Sequence, residues 1–315
     1  MSLAERILTG EIRAAARLMR NIDDDLPSAR DELRTLFPHT GKAFLLGITG
    51  PPGAGKSTLV DQVTASYRAR GKQVGIVAID PTSPFTGGAI LGDRIRMNRH
   101  SNDEGVFIRS LATRGNLGGL SRSTADVANV MDAMGMDVII IETVGVGQDE
   151  VDIVRLAHTT LVVMVPGMGD DIQAIKAGIL EIGDLFVVNK ADRDGADRTV
   201  RELSFMLEMN RYEENSWRPP VMKTEATRGT GVEELVDMVE SHHEWLKLSG
   251  EMDNLLREKH ATLLQMLLRD RLFAEVWGPL TKSGAFDEYL NAIIARTSDP
   301  YSTVEGILAK RLRDY

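Results

Sequence analysis

Residues 50–58 read Gly-Pro-Pro-Gly-Ala-Gly-Lys-Ser-Thr. Gly50, Pro51, Pro52, Gly53, Ala54, Gly55, Lys56 and Ser57 fit the pattern G-x-x-x-x-G-K-[ST], and Thr58 follows it. Glycines let backbone N–H groups turn inward around phosphate oxygens. A helix starting at the loop aims the positive end of its dipole at them. Lys56 can then reach the β- and γ-phosphates of a nucleoside triphosphate, and the Ser57 hydroxyl can ligate Mg²⁺. A glycine–proline turn before an ordinary helix is the plain alternative. The apolar run at 43–48 and the helical pattern after 56 supply the context that the phosphate motif requires.

The second motif, Asn189-Lys190-Ala191-Asp192, directly follows the apolar run 185–188. It fits N-K-x-D. The Asp192 carboxylate can accept from the ring N–H and the exocyclic amine of guanine. Adenine offers neither donor there, and leaving the carboxylate unpaired is costly, so this residue type discriminates between the two bases. Lys190 would lay its stem along the base, and Asn189 would tie this loop to the phosphate loop. Glu225 and Ala226, after the run at 220–224, fall where a further base-contacting loop would lie.

Acids end two of the apolar runs: Asp80 after Val74–Ile79, and Glu142 after Ile139–Ile141. Carboxylates at strand ends sit at the edge where open α/β sheets bind ligands. Asp93 lies in a glycine-rich stretch, 87–93. Mg²⁺ takes hard oxygen ligands, so Ser57, Asp80, Asp93 and Glu142 form the candidate metal set. Glu142-Thr143-Val144-Gly145 is followed by Val146, where many GTPases have a water-orienting glutamine; Gln148 is displaced. Slow intrinsic hydrolysis is the expectation. Arg94, Arg96, Arg109, Arg114 and Lys176 are the cations available to stabilise charge, with surface salt bridges as their ordinary role.

The elements that must position these groups are short apolar runs at 43–48, 73–79, 106–109, 137–141, 160–165, 185–188 and 220–224. Continuous rather than alternating apolarity marks strands covered on both faces. Helical patterns lie between them, at about 56–70, 118–135, 171–182, 196–209 and 231–247. This alternation predicts an α/β fold with a mostly parallel sheet flanked by helices. Residues 1–41 read as an N-terminal helical arm, broken at Pro27, with Ser28 able to cap a second short helix. Residues 42–248 form the nucleotide domain. Residues 249–315 form a C-terminal helical arm, read as helices at 251–277, 284–297 and 301–312 with a break at Gly278-Pro279.

The 315 residues carry a net charge of -9 and no cysteine. An acidic surface disfavours nucleic acid. The absence of thiols rules out disulfides and thiolate metal sites. No apolar stretch reaches the roughly 18 residues of a membrane span, so no membrane role is expected and a cytoplasmic protein is the plain reading.

The motif set as a whole is similar to one family. It runs from Gly47–Thr58 through Asp80-Pro81-Thr82-Ser83-Pro84, Thr86–Met97, Leu117-Gly118-Gly119 and Glu142–Gln148. It continues with Pro166–Asp171, Ile175-Lys176 and Asn189–Asp192. The chain resembles the MeaB/ArgK family, bacterial counterparts of human MMAA. The resemblance implies a P-loop G domain of the SIMIBI class, with helical arms and a C-terminal dimerisation arm. It implies GTP hydrolysis to GDP, coupled to chaperoning of an adenosylcobalamin-dependent acyl-CoA mutase of the methylmalonyl- or isobutyryl-CoA type. Such a protein gates cofactor delivery and protects or reactivates the mutase. By motif position, Ser57, Asp80, Asp93 and Glu142 resemble metal- and water-positioning residues. Residues 167–178, with Lys176, resemble the loop that responds to the partner.

Other signals carry less. No histidine follows an aspartate at the cobalamin-motif spacing, so direct cobalamin binding of that kind is not expected. His242-His243 is read as a surface pair, and Met206 and Met209 as core filler. Leu255, Leu256, Leu263, Leu264, Leu267 and Leu268 suit either a self-contained hairpin or a homodimer seam; the resemblance favours the dimer. Two alternatives remain: a metal-insertion GTPase, disfavoured by the missing Cys and His tracts, and an ATPase or kinase linked to amino-acid transport, disfavoured by Asn189–Asp192.

Overall fold

The computed structural model describes residues 1–80, 98–100, 102–112, 117–143, 156–167 and 182–312. The chain forms two compact units, Met1–Leu255 and Leu256–Tyr315.

The larger unit is built on seven parallel strands: β1 (Phe44–Thr49), β2 (Val74–Asp80), β3 (Val106–Ala112), β4 (Val138–Glu142), β5 (Thr159–Met164), β6 (Leu185–Val188) and β7 (Val221–Lys223). Their order is β3-β2-β4-β1-β5-β6-β7. All seven overlap the apolar runs; the inner strands β1, β2, β4, β5 and β6 are covered on both faces, while the edge strands β3 and β7 are half-buried. Along β4, Val138 and Ile140 enter one core while Ile139 and Ile141 enter the other. Along β5 and β6, Leu161, Val163, Leu185 and Val187 face one way, and Val162, Met164, Phe186 and Val188 the other. The two-residue period of a strand places alternate side chains on opposite faces.

Helices α1 (Leu3–Leu8), α2 (Ile12–Asp23) and α3 (Ser28–Leu36) pack with α5 (Leu117–Ala133) over one face through Ile7, Leu18, Met19, Leu36, Val127 and Met131. Helices α4 (Lys56–Ala69) and α7 (Val232–Ser249) cover the other, through Leu59, Val63, Tyr67, Leu235, Val236 and Val239. Helix α6 (Ala196–Glu208) covers β5 and β6 with Leu203 and Leu207. The N-terminal helices thus contribute directly to the sheet's core. Ser28 does not cap α3: Pro27 takes the cap position, without a side-chain hydrogen bond.

Two methionines part company. Met206 packs against the α6 core, but Met209 is 72% exposed because it lies just beyond the end of the helix, so its reading as core filler is corrected.

Helix α8 (Glu251–Lys282) runs on through Gly278-Pro279, where a break was expected. Proline's fixed φ is helical, and only its missing N–H and its ring conflict with the preceding turn. Pro279 lies in the last turn, where the Thr281 hydroxyl donates to the carbonyls of Trp277 (2.9 Å) and Gly278 (3.1 Å). Within the second unit follow α9 (Ala285–Ile294) and α10 (Pro300–Leu312). Leu264, Leu267, Leu268, Leu272 and Phe273 are exposed there, and no hydrophobic side chain of α8 or α9 is buried.

Candidate nucleotide site

The carboxyl ends of β1 and β4 lie side by side, with Ile48 in register with Glu142. The chain turns from β1 into α4 through residues 50–55. Gly50 has φ 139°, and a Cβ there would fall onto the Val163 carbonyl. Gly55 has φ 90°, and its Cβ would come within 2.5 Å of Asn189 Nδ2. At both positions only glycine permits the backbone path and the close approach.

Lys56 opens α4 and is 6% exposed. Its ammonium donates to the carbonyls of Gly50 (2.7 Å) and Pro51 (3.2 Å), holding it inside the loop. The Ser57 hydroxyl donates to Glu142 Oε1 at 2.7 Å, and Glu142 is 4% exposed. The hydroxyls of Thr49 and Thr143, both buried, are 3.0 Å apart just beyond the paired strand ends. Asp80 closes β2 one strand over, where Ala78 is in register with Glu142. A half-buried hydroxyl in the first turn of α4 and a buried carboxylate at the end of β4 offer the hard oxygen donors that suit Mg²⁺.

The second loop is sewn to the first. Asn189 Nδ2 donates to the Ala54 carbonyl at 2.9 Å. Its Oδ1 accepts from the Thr224 hydroxyl (3.2 Å) and the Ala226 N–H (3.1 Å). One buried side chain therefore joins the phosphate loop, the end of β6 and the loop after β7. Lys190 adopts a left-handed φ of 57° and donates to the Gly53 carbonyl at 2.7 Å. Such a conformation in a non-glycine residue is sparsely populated and is held by its surroundings. Asp192 is exposed beside them. Glu225 closes the last loop through its N–H to the Thr230 carbonyl (3.0 Å) and pairs with Arg228 at 3.1 Å.

Lys56, Ser57, Glu142, Asn189, Lys190, Glu225 and Ala226 thus gather at one edge. Asp93, Gln148, Lys176, Arg94, Arg96 and Arg114 lie outside the described residues. Arg109 sits on β3 with Asp23 at 3.6 Å, an ion pair to α2. Sequence reasoning passed over Thr49, Thr143 and Thr224, whose hydroxyls stitch the strand ends. Their placement next to Glu142, Gly50 and Glu225 was the available signal.

His242 is not on the surface. It is 1% exposed, with Nδ1 2.8 Å from the Thr159 hydroxyl and Nε2 3.6 Å from Asp184. The rings of Trp217 (4.7 Å) and Trp245 (5.7 Å) flank it. His243 stacks on Phe44 at 4.1 Å. These residues lie at the opposite edge, around the starts of β1, β5 and β6, so the reading of a surface pair is corrected.

Four matches place this geometry among known proteins. The profile of the family described as methylmalonyl-CoA mutase-associated GTPase MeaB matches residues 15–280. A Pyrococcus abyssi protein named as a GTPase is 50% identical over 308 residues, covering 97% of this chain and 95% of its own. The mouse mitochondrial methylmalonic aciduria type A homolog is 34% identical over 73% of this chain and 56% of its own. In fold, a crystal structure of a LAO/AO transport system kinase aligns over 98% of this chain and 96% of its own, with a TM-score of 0.73 at 24% identity. The chain belongs to the MeaB family of P-loop GTPases.

Proposed function

We propose that this GTPase is Mg²⁺-dependent and serves as a chaperone of an adenosylcobalamin-dependent acyl-CoA mutase of the methylmalonyl- or isobutyryl-CoA type. It would gate cofactor delivery and protect or reactivate the enzyme. One observation carries the nucleotide reading: Asn189 bonds at once to Ala54 and to Thr224 and Ala226, so the phosphate loop and the guanine-reading loops form one preassembled surface. The mutase role is supported by the family's description and by the mouse relative's name.

The residues divide the work as follows. The phosphate-loop N–H groups and the start of α4 bind the phosphates. Lys56 exchanges its carbonyl partners for the β- and γ-phosphate oxygens. Asp192 accepts from the guanine ring N–H and amine, and the Lys190 stem flanks the base. Ser57 and Glu142, with Asp80 and Asp93, would hold the metal. When bound, Mg²⁺ neutralises charge on the β- and γ-phosphates. Lys176 and Gln148 act at the γ-phosphate when the partner engages.

The exposed leucines of α8 (Leu264, Leu267 and Leu268) form the seam of a homodimer. The described helices of the second unit bury no large hydrophobic side chain of their own, which favours a seam over a self-contained hairpin. Light scattering of Leu264→Glu/Leu268→Glu, giving monomer where the parent gives dimer, checks this.

The deciding experiment is GTP and ATP hydrolysis by the purified protein, alone and with candidate mutases. Weak GTP-only turnover that rises with one mutase is the expected result. GTP turnover indifferent to every mutase overturns the chaperone role, and ATP preference overturns the base reading.

A further inference from the structure

The loop of Asn189–Asp192 runs into α6 through the one Asp-Gly pair of the sequence, Asp194-Gly195; the sequence holds no Asn-Gly pair. Both residues are exposed. Among the described residues, nothing hydrogen-bonds to the Asp194 carboxylate or to the Gly195 N–H. Gly195 caps α6 with φ 90° and ψ -2°, and a Cβ there would meet nothing within 4 Å. A backbone nitrogen with no side chain beside it, no acceptor and open space around it therefore follows a carboxyl group that is equally free.

Such a pair can isomerise without an enzyme. The Gly195 nitrogen attacks the side-chain carbonyl carbon of Asp194. A C–N bond forms, and one carboxyl oxygen leaves as water with the amide proton and a proton from solvent. The five-membered succinimide then takes up water. Opening at the side-chain carbonyl returns aspartate. Opening at the main-chain carbonyl leaves the chain running through the former side chain, with the former main-chain carbonyl as the free carboxylate. Water is lost and regained, so the mass is unchanged. The turn is held by Arg193 N–H to the Lys190 carbonyl (3.0 Å), Ala196 N–H to the Arg193 carbonyl (3.4 Å) and Thr199 N–H to the Gly195 carbonyl (3.0 Å). The isomer lengthens the main chain by one carbon, about 1.5 Å, between Arg193 and Ala196. The already long Ala196–Arg193 bond spans that insertion. Asp192 lies next to it, while its upstream anchors, including Ala191 N–H to the Thr224 carbonyl (3.0 Å), precede the altered bond and remain.

We propose that Asp194-Gly195 is a site of spontaneous isoaspartate formation, and that isomerisation there weakens guanine-nucleotide binding by loosening the turn that carries Asp192. The loss is partial because the upstream anchors stay: ~3- to 10-fold in affinity, the worth of about one neutral hydrogen bond. The effect on affinity rests on the guanine-reading role of Asp192; the modification itself rests only on the exposed, unpartnered pair.

The test ages the full-length protein at neutral pH and compares it with fresh protein by two readouts. The first is methyl transfer from S-adenosylmethionine by an isoaspartyl methyltransferase, located in the tryptic peptide that Arg193 and Arg198 delimit. The second is GDP affinity. Aged parent is expected to take the label in residues 194–198, and its modified fraction to bind GDP ~3- to 10-fold more weakly. Prolonged methyltransferase treatment, which lets the methyl ester close again to the succinimide and return chains to aspartate, restores the affinity. Asp194→Glu keeps the exposed charge but would need a six-membered ring; it is expected to stay unlabelled there and to keep its fresh affinity. No label in residues 194–198, an equal loss of affinity in aged Asp194→Glu, or fresh-level affinity in labelled parent each overturns the proposal. Fresh parent that binds ADP as tightly as GDP overturns the reading of Asp192 instead, and the label still decides the site.

Discussion

The two edges of the sheet use polar groups in opposite ways. At the carboxyl edge, Lys56 and Asn189 bond to backbone carbonyls of the loop that must receive a ligand, and Ser57 to Glu142 across two strands. At the amino edge, His242 bonds to Thr159, Asp184 accepts the Thr160 N–H (2.7 Å), and the Trp217 indole donates to the Asp184 carbonyl (2.8 Å). Aromatic rings fill the space between them. The first arrangement keeps donors that a ligand can take over. The second ties its polar groups to one another and to the backbone among aromatic rings, and so serves the fold. Open α/β sheets bind at their carboxyl edge for this reason of topology; here the side chains divide along the same line.

The sharpest way to break this comparison is Lys56→Ala. Single-turnover GTP hydrolysis is expected to fall by ~10²- to 10³-fold or more, the usual loss for a preorganised charge-stabilising donor. Urea unfolding is expected to change by less than about 1 kcal/mol, because two bonds to carbonyls are lost while a buried ammonium is removed. A rate loss matched by a collapse in stability would show that the loop also serves as core.

His242→Ala is the converse. It removes the bond to Thr159 and leaves a cavity between two indoles, costing about 2–4 kcal/mol in urea unfolding. GTP hydrolysis in the folded fraction stays at the parent rate. A specific drop in rate would couple the two edges.

Acid acts on the same edge. Burial, with the neighbouring His243 second, pushes the His242 pKa down to about 4 in spite of Asp184 at 3.6 Å. Burial and then Lys247 push His243 to about 4, where it packs on Phe44 near His158. In the unfolded chain both titrate near pH ~6.5. Folded pKa values below unfolded ones mean that the unfolded state takes up protons first. The stability is complete above pH ~6.5 and drains as pH falls toward about 4. Unfolding free energy is expected to drop by roughly 3 kcal/mol across that window from His242, with a smaller share from the half-buried His243. His242→Ala flattens the slope. An equal slope in the variant would place the acid sensitivity elsewhere.

The contrast between edges was only half legible in the sequence. Gly50–Ser57 and Asn189–Asp192 are contiguous runs whose spacing reflects the ligand's geometry, so they can be read without the fold. The inner strands were legible because coverage on both faces leaves unbroken apolar runs such as Val138–Ile141. The His242 hub was not, because Thr159, Asp184 and Trp217 meet it from three other stretches of chain, and only Trp245 shares its helix. Adjacent residues on a helix point about 100° apart, so His242 turns inward while His243 turns to Phe44. That same geometry had suggested a harmless surface pair. Nor could spacing show that Lys56 rests on the Gly50 and Pro51 carbonyls, since that depends on the φ angles of the loop.

Asp126 on α5 tests whether acid sensitivity belongs to the amino edge alone, and it carries the smallest expected effect. Burial pushes its carboxyl up to about 6, with Asp25 adding to the rise and Arg122 and Arg30 opposing it. For an acid raised above its unfolded value of ~3.8, the favourable contribution is complete below that value and is lost as pH climbs through about 6. This slope runs opposite to that of the histidines. Asp126→Asn, which keeps the shape of the protonated acid, is expected to stabilise the protein by ~1–2 kcal/mol at pH 7.5 and by almost nothing near pH 4. In His242→Ala the fall in stability from pH 6.5 to 5 should then be nearly cancelled, with the rise from Asp126 set against the loss that His243 still causes. If Asp126→Asn is neutral at pH 7.5, Arg122 and Arg30 hold the carboxylate charged at no cost, and the histidine edge accounts for the whole pH response.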